Sequence, residues 1–342
     1  MGLRAFYFMA VGVGVAGMGA LCPQAQAQIL PQEEITYEKI YKIKARGGWD
    51  FIAPNEKNPQ QAIPALKKTP GGVYLSVGTE RAFIGAALSN ADHLMILDYD
   101  RLTLLFNRIN IALLKAAPDR ESYLKLRLEA SAAKWLSAAE TLPSGSPERV
   151  VLSDLNSFKW WEIKVRKGAQ FERPQSFFEL HQEKPANGAF VGANYLWDDE
   201  LFSKLHQMAL DNKIEAHLVD LRDAEATSRV ARAIYRAKGA GSLAALDVSN
   251  AWDGAYVGKE PLDRLFETLD LVARPDSLVM ITHNKNGGWK YFTRSFGAVR
   301  NKDVPYVKWP PAAEYVVEPL ALPCKQGLLR RMLTQALALT IE

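Results

Sequence analysis

The sequence predicts an α/β protein built on one doubly wound, largely parallel sheet. Three observations carry that prediction. Short apolar runs rich in β-formers alternate with segments whose apolar residues repeat at helical spacing. A glycine or a polar residue follows each run: Gly78, Asp98, Asp220, Asp247, His283. In a parallel sheet those positions share one edge, where ligands bind. Finally, Gly71–Asp100 packs strand, glycine turn, helix, strand and acidic tip into one βαβ unit.

Residues 1–27 read as an export leader. Arg4 supplies the positive region, Ala5–Leu21 the apolar run, and Ala25-Gln26-Ala27 the cleavage signal. The mature chain then begins at Gln28 and is exported, periplasmic or secreted. An uncleaved anchor is the alternative. Cys22 would suit a lipoprotein leader, except that Leu21 stands where a small residue is wanted. No later stretch is long and apolar enough to span a membrane.

Residues 28–70 form an N-terminal arm. Glu33–Lys44 is amphipathic, Gly47-Gly48 breaks it, and Tyr37, Tyr41 and Trp49 anchor it. The domain proper is residues 71–342. Its first strand is Val73–Val77, and Gly78 ends it. Thr79 caps a helix with Phe83, Ile84, Ala87 and Leu88 on one face, and Asn90 closes it. The second strand, His93–Leu97, ends in Asp98-Tyr99-Asp100. Leu102, Leu105, Phe106, Ile109 and Leu113 share the face of the next helix.

A helical and aromatic insertion follows the second strand, about residues 119–192. It holds a helix over Tyr123–Glu140, a turn at Pro143–Pro147, and a poorly patterned stretch with Trp160-Trp161 and Phe177-Phe178. These aromatics either cover the domain or line a substrate site. Asp198–Asn212 is helical. Strand Glu215–Val219 ends at Asp220, and helix Ala224–Lys238 stops at Gly239. Strand Ser242–Leu246 ends at Asp247-Val248-Ser249-Asn250. Pro261 opens a helix. Strand Ser277–Thr282 ends at His283-Asn284. Trp289–Phe296 and Tyr315–Leu322 suit late strands, an antiparallel pair, and Leu328–Leu339 a last helix.

Lys and Arg number 42 against 38 Asp and Glu, and the basic residues are spread along the chain, so nothing points to nucleic acid. The expected partner is a small-molecule ligand. Once the leader is removed Cys324 is the only cysteine, which rules out an intramolecular disulfide and a cysteine zinc site. The five histidines are scattered, and no metal is expected. The chain lacks H-E-x-x-H, G-x-S-x-G and P-loop patterns. His283, at a strand end, is the one candidate base.

The glycines choose between ligands. A dinucleotide needs G-x-G-x-x-G, because its pyrophosphate lies against the helix N-terminus. Here Gly78 stands alone, with Glu80 and Phe83 at the other two positions. A carboxylate there repels a pyrophosphate. S-adenosylmethionine has no phosphate, and Glu80 could face its amine. Asp98 or Asp100 could hold both ribose hydroxyls. Asp220 is placed to accept from the adenine amine, and Asp247 through Asn250 is a stretch that, by resemblance to many methyltransferases, would contact the methyl donor. A Rossmann-like fold without a cofactor is the other reading of the same residues.

The stretches Val73–Leu88, Ile96–Asp100, Ala193–Ala209 and Ala245–Val257 together resemble the class I S-adenosylmethionine-dependent methyltransferases, in a mostly uncharacterised bacterial branch. The resemblance runs from about Gly71 to His283. It implies a Rossmann-like sheet of that type and S-adenosylmethionine as cofactor. The first motif maps onto Gly78 and Glu80 and the acidic second-strand end onto Asp98 and Asp100. Glu80 is a departure, since the wider superfamily has glycine there. A methyl acceptor is not implied. A non-catalytic exported binding protein that keeps the fold is the alternative.

Overall fold

The computed structural model describes residues 28–32, 59–166, 194–252, 257–285 and 288–301. The expected leader (residues 1–27), Tyr37, Tyr41, Trp49, Phe177-Phe178, Tyr315–Leu322, Cys324 and Leu328–Leu339 lie outside the described residues.

Six strands form one sheet: β1 (Val73–Val77), β2 (His93–Asp98), β3 (Ile214–Leu218), β4 (Leu243–Ser249), β5 (Ala273–Lys285) and β6 (Gly288–Ser295). Their order is β3-β2-β1-β4-β5-β6. β1 to β5 run parallel, and β6 returns antiparallel along β5. The chain moves outward from β1 to β3, then crosses back to β4 on the other side of β1. That reversal makes the β1–β4 boundary the topological switch point of a Rossmann-like sheet. β6 covers the expected strand at Trp289–Phe296, but among the described residues its partner is β5.

Both faces of the sheet are covered, so strand residues of either parity are apolar. On one face Tyr74, Leu94, Ile96, Ile214 and Ala216 join a core with α1 (Ile63–Leu66), α2 (Glu80–Leu88), α3 (Arg101–Ala116), α4 (Arg120–Leu128), α5 (Ala132–Glu140), α6 (Pro147–Ser153), α7 (Leu155–Trp161) and α8 (Asp199–Leu210). On the other, Val73, Leu75, Met95, Leu97, Leu246 and Val248 pack against α9 (Ala224–Lys238), α10 (Lys259–Leu269) and α11 (Phe296–Arg300). α2 is buried along its whole length. An alanine at Gly85 would place its Cβ 2.1 Å from the Tyr74 hydroxyl oxygen, so glycine lets α2 lie on β1.

Most helices start at a side-chain cap. Asp100, Asp119, Ser131, Ser146, Asp154, Asp198, Asp223 and Ser295 each accept a backbone N–H of the following turn. Thr79 does not cap α2 with its side chain; its carbonyl takes the Ala82 N–H at 3.0 Å instead.

Three expectations change. The single helix over Tyr123–Glu140 is two, α4 and α5, because Ser131 caps a new start. Within residues 147–166 the poorly patterned stretch forms two short helices, α6 and α7, each opened by its own cap. Tryptophans of α5 and α7 close the break between α4 and α5. Trp135 Nε1 donates to the Leu126 carbonyl at 2.8 Å and Trp161 Nε1 to the Arg127 carbonyl at 2.9 Å. The Arg166 guanidinium takes Leu126, Arg127 and Ala130 carbonyls at 2.6–2.8 Å, so the C-terminus of α4 is satisfied inside the protein. Trp160 and Trp161 are buried, as covering residues are. Finally, β4 does not end at Leu246 but runs to Ser249, carrying Asp247 inside the sheet.

Candidate functional site at the carboxyl edge of the sheet

Register places the strand tips. Val77 is level with Leu97, so Gly78 lies beside Asp98, and Asp98 is level with Leu218. Gly78 has φ +87°, a left-handed backbone that suits glycine, and the space a Cβ would take is open to 4 Å. Its N–H donates to Asp98 Oδ2 at 3.2 Å. Its carbonyl accepts from Asn107 Nδ2 of α3 at 2.9 Å. Asp98 Oδ1 accepts the Asp100 N–H at 2.9 Å. Burial pushes the Asp98 carboxyl up to about 7; the Asp100 charge adds to the rise, and the N–H groups of Asp100 and Gly78 oppose it.

Asp100 is not at the open edge. Its oxygens take the N–H groups of Leu102 and Thr103 at 3.3 and 3.1 Å, and the Thr103 hydroxyl at 3.1 Å. It is the cap that starts α3, and Asp98 alone of the two faces the Gly78 turn.

Glu80 has no exposed surface. Its Oε2 accepts from Arg127 Nη2 at 2.6 Å and its Oε1 from the Tyr195 hydroxyl. Arg127 lies over the rings of Phe106, Tyr123 and Trp161, and its Nη1 reaches Asn110 and Tyr123. Burial works against the Arg127 charge, but Glu80 together with Tyr123 and Tyr195 outweighs it and holds the guanidinium well above its ordinary range. Burial, then the Glu80 charge, raises Tyr195. In place of a ligand amine, Glu80 meets a cation of its own chain, for the physical reason that a carboxylate buried at this depth must be paired.

Asp247 is level with Ser76, one residue below the β1 tip on its strand, and it is fully buried. It pairs with Arg81, accepts the Tyr74 hydroxyl at 3.0 Å, and accepts the Ser249 N–H at 3.0 Å. Burial and then Asp247 raise Tyr74 well above its ordinary value. The neighbouring crevice, bordered by Arg81, Gly85 and Tyr291, holds about 20 Å³, room for a water and not for a nucleoside.

The other candidates spread along the edge. Asp220 is held by Arg222, whose Nη2 lies 2.6 Å from Oδ2 and whose guanidinium covers Tyr99 at 5.7 Å. Asn250 Oδ1 accepts the Ser249 hydroxyl at 3.2 Å, and Ser249 has φ +51°. His283 is half-buried with its ring 5.4 Å from Trp252, which donates to the Thr282 carbonyl at 2.7 Å. The structure thus joins Gly78 to Asp98 directly, while Glu80, Asp100 and Asp247 are committed to partners inside the chain. The sequence reading missed Asn107, Arg81, Tyr74 and Arg127. One signal was present: Thr103, Asn107 and Asn110 interrupt the apolar pattern of α3 at helical spacing, and all three are buried.

Two solved structures of the rRNA methyltransferase aviRa from Streptomyces viridochromogenes are similar to this chain, at 12% and 13% identity. The likeness covers 72% and 73% of this chain and 84% and 89% of theirs, with TM-scores of 0.35 and 0.36. Such scores describe a loose likeness of layout. No curated protein sequence matches. Residues 51–306 match a family model described as "Domain of unknown function (DUF7790)", and the chain belongs to that family.

Proposed function

We propose that the chain binds an adenosine-type ligand without a pyrophosphate at the Gly78–Asp98 edge, with S-adenosylmethionine as the cofactor to be tested first. The observation that carries this reading is the Asp98 carboxyl held beside a left-handed Gly78, under open space, at the carboxyl edge of the sheet between β1 and β2. Asp98 would accept two ribose hydroxyls, and Gly78 leaves room for the sugar above the strand end. The nucleoside half of the cofactor therefore fits. The amine half does not fit Glu80, which Arg127 and Tyr195 occupy. When bound, the cofactor would supply a methyl group; these residues would only bind and orient it.

The same two ion pairs support the second reading, a non-catalytic binding protein on this fold. Glu80 and Asp247 are neutralised by Arg127 and Arg81, so neither is offered to a ligand at the edge. Both readings include the class I methyltransferase-type sheet, an insertion of about residues 119–192, and export of a chain starting at Gln28. Ala25-Gln26-Ala27 supports the last.

Calorimetry with S-adenosylmethionine, S-adenosylhomocysteine, adenosine and NAD tests the proposal. Saturable heat with the first three and none with NAD is expected. No heat with any of the first three at millimolar concentration would sink it. Methyl transfer to added acceptors would then separate enzyme from binding protein.

A further inference from the structure

We infer that Asn107 is the positioning residue of the Gly78 turn, and so of the ligand site proposed above, on whose reading its importance for binding rests. Gly78 is held on both sides of its Cα. Asp98 from β2 takes the N–H at 3.2 Å, and Asn107 from α3 gives Nδ2 to the carbonyl at 2.9 Å. The two bonds fix both peptide planes that flank the left-handed residue. The amide orientation follows from the contact: a carbonyl can only accept, so the nitrogen faces Gly78.

The second observation is what the side chain gives up. Asn107 is fully buried, and its Oδ1 has no hydrogen-bond partner. Its neighbours on α3, Leu104, Leu105, Phe106 and Ile109, are apolar and equally buried. An apolar residue would pack there without an unmatched acceptor. The carboxamide is accounted for by its donor, and its target is the turn. Thr103 and Asn110 line the same stripe with other tasks: Thr103 serves the Asp100 cap, and Asn110 joins Tyr123, Tyr195 and Arg127. α3 thus carries a polar rail under the first βαβ unit.

The test uses the full chain with Asn107→Asp, which keeps the shape but loses the donor when ionised, and Asn107→Leu, which removes both polar atoms. Hydrogen exchange at the Gly78 amide in unliganded protein reads whether the turn still holds that N–H on Asp98 once the Asn107 bond to the carbonyl is gone. A fall in protection of roughly tenfold in both variants is expected, the size of one lost hydrogen bond. The Tyr74 and Leu75 amides within β1 should keep theirs. In Asn107→Asp, protection relative to wild type should recover on acidification, because a protonated carboxyl can again donate to the Gly78 carbonyl. Wild-type protection at Gly78 in folded Asn107→Leu overturns the inference. Calorimetry with S-adenosylhomocysteine separates the two proposals. Loosened exchange together with weaker binding supports both. Loosened exchange in a protein whose wild type binds no nucleoside leaves the clamp standing and removes the ligand reading.

Discussion

Asp98 and Gly78 meet across the tips of two parallel strands, carboxylate oxygen to backbone N–H at 3.2 Å. The contact sets a conflict between folding and binding. Burial raises the Asp98 carboxyl to about 7, yet two ribose hydroxyls would be accepted best by its ionised form. The folded value lies above the ordinary aspartate value of 3.8 that holds in the unfolded chain. The stability that Asp98 contributes is therefore fully present below about pH 4 and is lost as pH rises through 7.

Asp98→Asn should remove that loss. The expected result is a melting temperature above wild type at pH 8, with the gap closing toward pH 4. The same substitution should weaken adenosine-type binding by roughly a hundredfold or more if two charge-assisted bonds are lost. Wild-type affinity should rise with pH through about 7, and calorimetry in buffers of different ionisation heat should show proton release below that pH. A variant less stable than wild type at pH 8 would contradict the burial argument.

The Glu80–Arg127 pair predicts a different pattern. Both side chains have no exposed surface, so removing one partner strands the other. Arg127→Met should cost about 3–5 kcal/mol, whereas Glu80→Gln, which keeps acceptor and shape, should cost less and leave ligand affinity near wild type. Removing both charges, as in Glu80→Gln with Arg127→Met, should recover part of the loss. Urea unfolding measures all three. A large loss of affinity in folded Glu80→Gln would return Glu80 to the ligand site.

Gly85 tests how α2 is seated. Gly85→Ala drives a Cβ to 2.1 Å from the Tyr74 hydroxyl oxygen and 2.5 Å from its Cζ, and Tyr74 has no exposed surface into which to retreat. A cost of about 1–3 kcal/mol is expected, as for overpacking elsewhere. Wild-type stability by urea unfolding would mean that α2 can shift away from β1.

Most of the fold was legible because periodicity and punctuation agree. Val73–Val77 and Ala224–Lys238 fall where the apolar runs and Gly239 place them. Short helices were not legible: α6 and α7 have too few residues for a period to emerge, and Ser131 looks ordinary until it caps. The site was half legible. Gly78 and Asp98 announce themselves by type and position in a βαβ unit. Glu80 and Asp247 carry the same letters as ligand-binding acids, but their partners Arg127 and Arg81 lie on helices. Only packing shows which charges meet. The sequence placed Asp247 at a strand tip because charges seldom sit inside strands; Arg81 and Tyr74 are what allow β4 to continue past it.

The last prediction concerns residues 28–32. Glu215 on β3 is fully buried, and it accepts the Ile29 and Leu30 N–H groups at 2.7 and 3.1 Å. His93 and His217 contact the same carboxylate at 2.8 and 3.0 Å. Burial alone would raise this acid, but His217, His93 and the Ile29 N–H overcome it and bring it to about 2. Because the folded value lies below the ordinary glutamate value of 4.5, the stability it contributes is present above that pH and is lost as pH falls toward 2. Residues 28–32 should therefore leave the body of the protein in acid before the sheet unfolds. Glu215→Ala should release them at neutral pH, since each N–H bond to a charged group contributes about 1.5–3 kcal/mol. Hydrogen exchange at Ile29 and Leu30 is the measurement. Lower protection there, relative to the unstructured rate at the same pH and with β1 amides still protected, is expected both in the variant and in wild type near pH 3. Unchanged exchange at Ile29 and Leu30 in a folded Glu215→Ala protein would show that Ile29 and Leu30 are held by packing against the sheet rather than by the carboxylate.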